Sequence, residues 1–377
     1  MARVAHHPAA QRIGRRAGHF GKRLLERLLD LVVPIPANLP PSAMTDVRRV
    51  LLVRPNFRIG NTLITSPLIL ALRARFPDAK LDVLSGDTTA PLLEHLPVDE
   101  VLTISRAFVT RPWHFVALFA KLRRSRYDVA LEAGLGSFSG GLYTFFSGAR
   151  FRLGRSGRGD RFLNVRLPAV APEHVYDNPV AFARQIGVEC PDHPVYAVGE
   201  DEIRQARTFL RDAGLAEGDE TAPFVAVFVG GHQGKRWPAP QWLELARSLA
   251  DAGGRIAVFL GPEEMHFAER MRTELAGRAA VIPPQRLRLF AALWSQASLI
   301  VTPDSGPMHL AASLSVPTIA VLQSETSLGY RPRRAGDVTL MRPKVEDVAA
   351  AVVRHAAWQE IRRPTSASPR ALPASPT

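Results

Sequence analysis

Short apolar runs alternate with amphipathic stretches along most of the chain. From residue 46 onward, each apolar run is followed by a loop and then by a stretch with apolar residues at helical spacing. This alternation predicts Rossmann-like α/β domains with parallel sheets, whose ligands bind beyond the carboxyl ends of the strands. The predicted strands are Val50–Val53, Leu81–Leu84, Val101–Ile104, Val129–Leu131, Phe224–Val229, Ile256–Leu260, Ala280–Ile282, Leu299–Val301 and Thr318–Leu322.

The pattern stops at a Pro-rich segment between Cys190 and Pro194 and then restarts, so we expect two domains. Their predicted bounds are 46–195 and 196–345, followed by a closing helix, 346–361. The tail, 362–377, is rich in Pro, Ser and Ala without apolar periodicity, which predicts disorder. The predicted helices lie near 62–75, 88–96, 112–124, 138–147, 174–187, 240–252, 263–276, 286–296 and 306–314, with a last one over Val345–Ile361.

The first 45 residues form a separate segment with its own pattern. Residues 15–33 predict an amphipathic helix, which either packs on the body or lies as a basic interfacial helix on an anionic membrane surface. Residues 34–43 are a Pro-rich linker. Met44 is a second possible translation start, which would give a shorter protein. The helix has Phe20, Leu24, Leu28 and Leu31 on its apolar side and Lys22, Arg23 and Arg27 on its polar side.

Charge and composition exclude several functional classes. The formal charge is +13, but residues 1–45 carry seven basic and two acidic groups, and 362–377 carry three basic groups and no acid. The body therefore holds a modest excess and contains no nucleic-acid-binding motif, which disfavours a nucleic-acid partner. The single Cys190 excludes a disulfide framework and a Cys-rich metal site, so a reducing cytosol is the expected compartment. No run reaches the roughly 18 apolar residues of a membrane span.

The first candidate loop, with Arg58, Gly60, Asn61 and Thr62, lies between the first strand and the first helix. A glycine there permits close approach of the backbone to a ligand, and the following helix N-terminus is electropositive. The alternative is that Asn61 simply caps the helix, and the local sequence favours capping.

The second candidate loop follows the first strand of the second domain and contains Gly230, Gly231 and Lys235. Lys235 is one of only five lysines and supplies a mobile charge suited to a phosphate. Trp237 and Pro238 are interpreted as an aromatic anchor and the start of a helix. The alternative is a solvated Gly-rich loop with a surface lysine.

The third candidate loop runs from Asp304 to His309 between the fourth strand and the fourth helix of the second domain. The N–H groups of Ser305 and Gly306, together with the helix dipole, predict a site for a pyrophosphate. His309 on the first turn faces the same place in this interpretation. The alternative is that Asp304 or Ser305 only caps the helix.

The other motifs of the sequence give little information about function. Gly134, Gly136 and Gly140 resemble a dinucleotide fingerprint, but the third glycine comes one residue late and the unit is fourth along the chain. No Walker A, HExxH, CxxC or Gly-x-Ser-x-Gly motif occurs, and no Asp-x-Asp pair that would hold a metal on a diphosphate. A bound pyrophosphate would then be neutralised by Lys235 and a helix N-terminus.

Together these residues resemble glycosyltransferase family 9, whose best-known members are ADP-heptose:lipopolysaccharide heptosyltransferases. The resemblance runs from about 48 to 355. The matching elements are Arg54…Ile59-Gly60…Thr65-x-Pro67, Lys235-x-Trp237-Pro238 and Asp304-Ser305-Gly306-x-x-His309.

The resemblance implies a GT-B fold with the acceptor on the first domain and the donor on the second. It implies inverting, metal-independent transfer of a sugar, expected to be a heptose from ADP-heptose, to a lipid-linked saccharide without a cofactor. The expected location is the cytoplasm, peripheral on the inner face of the cytoplasmic membrane, with residues 15–33 on its anionic surface.

The resemblance also implies roles for individual residues. Lys235, Ser305, Gly306 and His309 would hold the diphosphate and sugar, Glu263 the ribose hydroxyls, and Asp304 the transferred sugar or the acceptor. The backbone at Gly230 and Gly231 belongs to the donor side, and Arg58, Gly60 and Thr62 belong to the acceptor side.

One position departs from the family. The family has an Asp directly after the first loop's glycine as its proposed general base, and this chain has Asn61. An amide can orient an acceptor hydroxyl but cannot take its proton at neutral pH. Asp304 or Glu132 then serves as base, or diphosphate stabilisation carries catalysis, or the protein binds sugar nucleotides without turning them over.

Overall fold

The computed structural model describes residues 32–105, 113–134, 136–217, 220–231 and 234–362. The predicted tail after Arg362 lies outside these residues, as does the predicted helix over 15–33 except for Val32 and Val33, so both remain predictions. Among the described residues, none of the helices has the length and the apolar composition of a membrane span.

The described residues form two six-stranded parallel sheets with the same strand order. The first sheet has the order β3-β2-β1-β4-β5-β6. Val50 of β1 pairs with Val129 of β4, and Leu81 to Leu84 lie in the buried part of β2. Its strands are β1 (Arg49–Val53), β2 (Lys80–Gly86), β3 (Glu100–Ile104), β4 (Val129–Glu132), β5 (Phe151–Arg155) and β6 (Val165–Leu167).

The second sheet follows a two-stranded antiparallel hairpin, β7 (Ala216–Glu217) and β8 (Glu220–Thr221). It has the order β11-β10-β9-β12-β13-β14, and Val225 of β9 pairs with Leu299 of β12. In each sheet the strand order reverses beside the first strand, which is where doubly wound sheets bind ligands. The strands are β9 (Val225–Val229), β10 (Ile256–Leu260), β11 (Ala280–Ile282), β12 (Leu299–Pro303), β13 (Thr318–Leu322) and β14 (Val338–Met341).

Helices connect the strands, as the βαβ pattern requires. In the residues that the structure describes, short 3₁₀ segments accompany them at Pro41–Ala43, Ala90–Leu93, Asp160–Phe162, Pro262–Phe267 and Glu325–Tyr330. The helices in the described residues are α1 (Ile59–Thr65), α2 (Pro67–Arg75), α3 (Trp113–Arg124), α4 (Phe138–Phe146), α5 (Asp177–Gln185), α6 (Glu200–Asp212), α7 (Ala239–Asp251), α8 (Ala268–Glu274), α9 (Leu287–Trp294), α10 (Gly306–Ser313), α11 (Val345–Arg354) and α12 (Trp358–Ile361).

The second sheet is buried on both faces because alternate residues of its strands point to opposite sides. In β9, Val225, Val227 and Val229 pack in one cluster, and Ala226 and Phe228 pack in another. The first cluster includes Trp242, Leu249, Val348 and Trp358, and the second includes Leu210, Phe259, Trp294 and Ile300. The continuous apolar runs of the sequence follow directly from this two-sided burial.

The chain divides into two compact units, one of Met1–Pro55 with Ala107–Ala169 and one of Asn56–Arg106 with Val170–Thr377. The domain bounds predicted from the sequence, 46–195 and 196–345, remain a prediction. In the first unit, part of the Pro-rich segment 34–43 lies along β6. Leu39 N–H donates to the Asn164 carbonyl over 2.8 Å, and Arg166 N–H donates to Asn38 Oδ1 over 2.7 Å.

Several predicted helices were wrong in their bounds. The single helix expected over 62–75 is two helices, because Pro67 lacks an N–H and begins α2. The helix expected near 88–96 is the 3₁₀ segment Ala90–Leu93, the one near 263–276 begins as the 3₁₀ segment Pro262–Phe267, and the last helix is split into α11 and α12.

Several elements were absent from the sequence prediction. Strand β5 has the sequence Phe-Arg-Leu-Gly-Arg, in which charged residues and glycine interrupt the apolar run. Strand β14 is half-buried along its length, so its pattern is weak. Strand β6 has only three residues, and the amphipathic helix α6 lies just after the Pro-rich segment at the predicted break between domains.

Candidate active site

Helices α1 and α10 of the second unit pack closely through two glycines. A Cβ on Gly60 would lie 2.6 Å from Cδ2 of His309, and a Cβ on Gly306 would lie 3.0 Å from Cβ of Ile59. Neither position has room for a side chain, so both glycines serve the contact between the helices. This packing brings the first candidate loop, Arg58 to Thr62, against the third, Asp304 to His309.

His309 is buried within this contact. Its Nδ1 shares a 2.8 Å hydrogen bond with the Tyr176 hydroxyl, and its ring faces Gly60. Burial lowers the pKa of His309 to about 4, although the charge of Asp304 acts in the opposite direction. His309 is therefore a neutral imidazole near pH 7, so it contributes hydrogen bonding and packing, and the positive charge of the site comes from elsewhere.

The stability of the protein is expected to depend on His309 at acidic pH. Its pKa is lower in the folded protein than in the unfolded chain, so the unfolded chain takes up the proton first, and stability falls as the pH drops from about 6.5 towards 4. Urea unfolding across this range should show a steeper loss for the wild type than for His309→Leu. Parallel pH profiles for the two proteins would contradict the assignment of a buried neutral imidazole.

Lys235 and Asp304 form the charged centre of the site. Lys235 Nζ lies 2.5 Å from Asp304 Oδ2, with the carboxylate buried and the lysine half-exposed. The ammonium group also lies 5.6 Å from the centre of the Tyr330 ring, which is 6.1 Å from the His309 ring. Tyr330 thus connects the ion pair to the helix contact, and the cation is placed between a buried carboxylate and solvent.

The loop that carries Lys235 is shaped by glycines and anchored by an aromatic pair. Gly231 and Gly234 have φ of +123° and +82°, a conformation that side-chain-bearing residues rarely adopt. A Cβ on Gly230 would lie 2.5 Å from the Phe228 ring. Trp237 is buried, with its ring centre 4.7 Å from that of Trp242. The interpretation of Trp237 as an anchor agrees with this packing.

The capping alternatives for the first and third loops are wrong. Helix α1 begins at Ile59 after Arg58, so Asn61 lies inside the helix, where its carbonyl accepts a hydrogen bond from Thr65 Oγ1. Ser305 precedes α10, but its hydroxyl donates to the Pro303 carbonyl, and no side chain caps the helix. Because Asp304 pairs with Lys235 instead, the N–H of Gly306 has no capping side chain, as an anion site requires.

The remaining predicted residues are more dispersed. Thr62 is buried, and its Oγ1 has no hydrogen-bond partner among the described residues. Arg58 is exposed on the surface. Glu263 is largely exposed in the 3₁₀ segment after β10 and pairs with Arg236, which also lies 3.1 Å from Glu264 and donates to the Gly231 carbonyl over 2.6 Å.

Arg236, Tyr176 and Tyr330 belong to the site although no sequence motif indicated them. Arg236 bridges the glycine-rich loop to the segment after β10, and its only sequence signal is its place beside Lys235. Tyr176 shares a hydrogen bond with His309, which lies 133 positions further along the chain. No local sequence pattern could indicate this contact.

Glu132, considered as an alternative base, lies in the first unit and is engaged by its own loop. Its carboxylate is buried and accepts from the N–H groups of Gly134 over 2.5 Å and Gly136 over 2.9 Å. Burial raises the pKa of Glu132, while these N–H groups and the charge of Arg54 act against the rise. Both oxygens of Glu132 are therefore engaged by its own loop.

Comparison with known proteins shows the family to which the chain belongs. The profile described as "Glycosyltransferase family 9 (heptosyltransferase)" matches residues 115–345, more than half of the chain. The chain belongs to this family. This family 9 glycosyltransferase is 24% identical over 322 residues to the lipooligosaccharide heptosyltransferase 2 of Haemophilus ducreyi, a match that covers 78% of the chain and 88% of the relative. It is 28% identical over 300 residues to the lipopolysaccharide heptosyltransferase 2 of Escherichia coli, covering 72% and 82%.

A solved structure supports the same fold. The E. coli heptosyltransferase WaaC with ADP matches with a TM-score of 0.61 at 23% identity, covering 81% of this chain and 95% of that one. The two parallel-sheet, Rossmann-like domains of a GT-B fold, predicted from the sequence, are confirmed. The prediction of a glycosyltransferase is also confirmed. The profile match begins after the first candidate loop, so the family match itself does not include Asn61.

Proposed function

We propose that this glycosyltransferase moves a heptose from a nucleoside-diphosphate heptose, with ADP as the expected nucleotide, onto a lipopolysaccharide or other lipid-linked saccharide. The observation that carries the proposal is the Lys235–Asp304 pair beside the uncapped N-terminus of α10. The names of the relatives support lipopolysaccharide as the acceptor class, and the ADP of WaaC supports the nucleotide.

In this proposal, the donor diphosphate takes the place of one partner of the ion pair. Lys235 Nζ turns from Asp304 towards the phosphate oxygens, and the N–H of Gly306 donates to them from the helix N-terminus. Charge that develops on the leaving diphosphate is thereby stabilised without a metal ion, in keeping with a sequence that lacks an Asp-x-Asp pair. Ser305, Gly230 and Gly231 complete the donor side, neutral His309 supports it, and Glu263 contacts the ribose.

The chemical step is a single displacement with inversion at the anomeric carbon. An acceptor hydroxyl oxygen forms a bond to that carbon while the bond to the phosphate oxygen breaks, and the electron pair leaves with the nucleoside diphosphate. The hydroxyl proton passes to Asp304, whose carboxylate is freed when Lys235 turns to the donor. Asn61 and the Arg58–Thr62 segment orient the acceptor in this scheme.

A sugar-nucleotide-binding protein without turnover is the second candidate, and Asn61 is the residue that favours it. The test is a screen of ADP-, GDP- and UDP-sugars with purified protein and a lipid-linked acceptor, in which product and donor binding are measured separately. Product with an ADP-heptose is the expected result. Saturable donor binding with no product from any pair would favour the binding protein.

Asn61→Asp is expected to keep the fold and to raise kcat, because a carboxylate beside the acceptor hydroxyl adds a second proton acceptor to Asp304. The gain should be smaller than the roughly 10²–10⁴-fold that a sole general base contributes, since Asp304 already takes the proton in this scheme. Initial rates across pH 5–9 measure the effect, with Asn61→Ala as the control that removes only the orienting amide. A folded but inactive Asn61→Asp protein would mean that the acceptor side is organised differently.

We propose that the enzyme works at the inner face of the cytoplasmic membrane, where a lipid-linked acceptor is available. The basic segment 15–33 is the proposed contact with the anionic surface. Deletion of residues 1–33 should then lower the fraction of protein that sediments with anionic vesicles, and an unchanged fraction would contradict this contact.

A further inference from the structure

Helix α3 of the first unit has apolar residues on two opposite sides. Its inner side packs on α4 through aromatic rings, with the Phe119 ring centre 4.5 Å from Phe146 and 5.7 Å from Tyr143. Leu122 is the one buried residue of this helix. These contacts already account for the position of α3 in the unit.

The outer side of α3 is apolar as well. Trp113 and Val116 are 61% and 70% exposed, and Ala117, which follows on the same side, is exposed too. A helix with apolar residues on both its packed side and its exposed side has more apolar surface than its contact with α4 requires. None of the described residues covers this side.

The charge of α3 indicates the chemistry of a partner for this side. The helix from Trp113 to Arg124 contains no Asp or Glu, and its Lys and Arg residues, Lys121, Arg123 and Arg124, lie in its last turn. Burial lowers the pKa of Arg152, and the positive charge of Arg123 lowers it further. These two cations therefore lie close together. The helix dipole favours cations at a C-terminus, but it gives no reason for the exposed Trp113 and Val116.

We propose that the outer side of α3, formed by Trp113, Val116 and Ala117 with Lys121 and Arg124, docks on an anionic lipid bilayer. Tryptophan is the residue that favours the boundary between headgroups and acyl chains, and the cations complement anionic headgroups. This surface does not include residues 15–33. Its docking on a bilayer does not depend on the proposed sugar donor or acceptor.

A second copy of the chain fits this surface less well. The three apolar side chains offer roughly 300 Å² at most, since even a large aromatic buries about 150–250 Å². A stable dimer buries about 800 Å² on each partner. A bilayer needs no matching patch, because small apolar groups and cations act together on it.

Fluorescence of the full-length protein tests the inference at the residue itself. The chain has five tryptophans, and the other four, Trp237, Trp242, Trp294 and Trp358, are at most 3% exposed. Vesicles of phosphatidylethanolamine and phosphatidylglycerol with brominated acyl chains quench only an indole that reaches the acyl boundary. We expect a blue shift and quenching of Trp113 emission, both absent in Trp113→Phe and with unbrominated phosphatidylcholine vesicles.

Variants separate the apolar and charged parts of the surface. Val116→Asp should abolish the quenching, whereas Val353→Asp, an exposed valine on α11 in the second unit, should leave it unchanged. Lys121→Gln and Arg124→Gln should each weaken binding to the anionic vesicles about fivefold, which corresponds to about 1 kcal/mol per cation. Circular dichroism confirms that each variant is folded.

Two outcomes would overturn the inference. Because residues 15–33 contain no tryptophan, vesicle binding without quenching of Trp113 would place the membrane contact elsewhere. A blue shift without lipid that grows with protein concentration would mean that a second copy covers the surface. Transfer to a water-soluble acceptor should survive Val116→Asp, so loss of lipid docking is distinguishable from failure of the proposed function.

Discussion

Lys235→Ala is expected to lower kcat for sugar transfer by roughly 10²–10³-fold, the usual cost of removing one preorganised charge or donor from a developing anion. Lys235 lies 2.5 Å from the buried carboxylate of Asp304 and reaches solvent on its other side, where a diphosphate can meet it. The fold should be kept, because the loop is anchored independently by Trp237, but some stability is lost because the buried Asp304 carboxylate loses its counter-charge.

The measurement is steady-state transfer with the best donor from the screen, accompanied by donor affinity from calorimetry. Lys344→Ala is the matched control, since Lys344 is an exposed lysine of the same unit that precedes α11. Near-normal turnover in Lys235→Ala would remove Lys235 from the diphosphate site. Equal losses in both variants would show that the effect comes from general charge and not from this position.

The two charged loops were predictable because each follows a buried strand. Strand β9 leads directly to Gly230, and β12 leads to Asp304, so the rule that ligands bind at the carboxyl ends of strands found both loops from the sequence. The ion pair between Lys235 and Asp304 was not predictable, because it joins positions 69 residues apart. The same holds for Tyr176 with His309, whose partners share no local pattern.

The glycines show a second limit of sequence reasoning. Gly60 was interpreted as room for a ligand, but its missing side chain accommodates the His309 ring. Gly134 and Gly140 resembled a dinucleotide fingerprint, but a Cβ on either would lie 2.4 Å from Glu132 Oε1. A sequence shows that a backbone must come close to something, and only the packed chain shows whether that is a ligand or another side chain.

The buried carboxylate of Glu132 is expected to be a major determinant of stability. Glu132→Ala should lower the free energy of unfolding by roughly 3 kcal/mol, because it leaves the N–H groups of Gly134 and Gly136 without an acceptor and Arg54 without its counter-charge. Arg54 Nε is already enclosed without a hydrogen-bond partner among the described residues, so that cation has little other compensation. Urea unfolding at pH 7 measures the loss, with the exposed Glu244→Ala as control.

The double variant Arg54→Met with Glu132→Leu distinguishes lost charge from lost shape. If the cost of Glu132→Ala comes from an uncompensated cation, replacing both partners by apolar residues should recover most of the stability, since buried ion pairs often exchange neutrally for well-packed apolar groups. If the double variant is as unstable as Glu132→Ala, the bonds to Gly134 and Gly136 are what hold the loop after β4. Gly140→Ala then provides an independent check, because its methyl group would displace the carboxylate while leaving both charges in place.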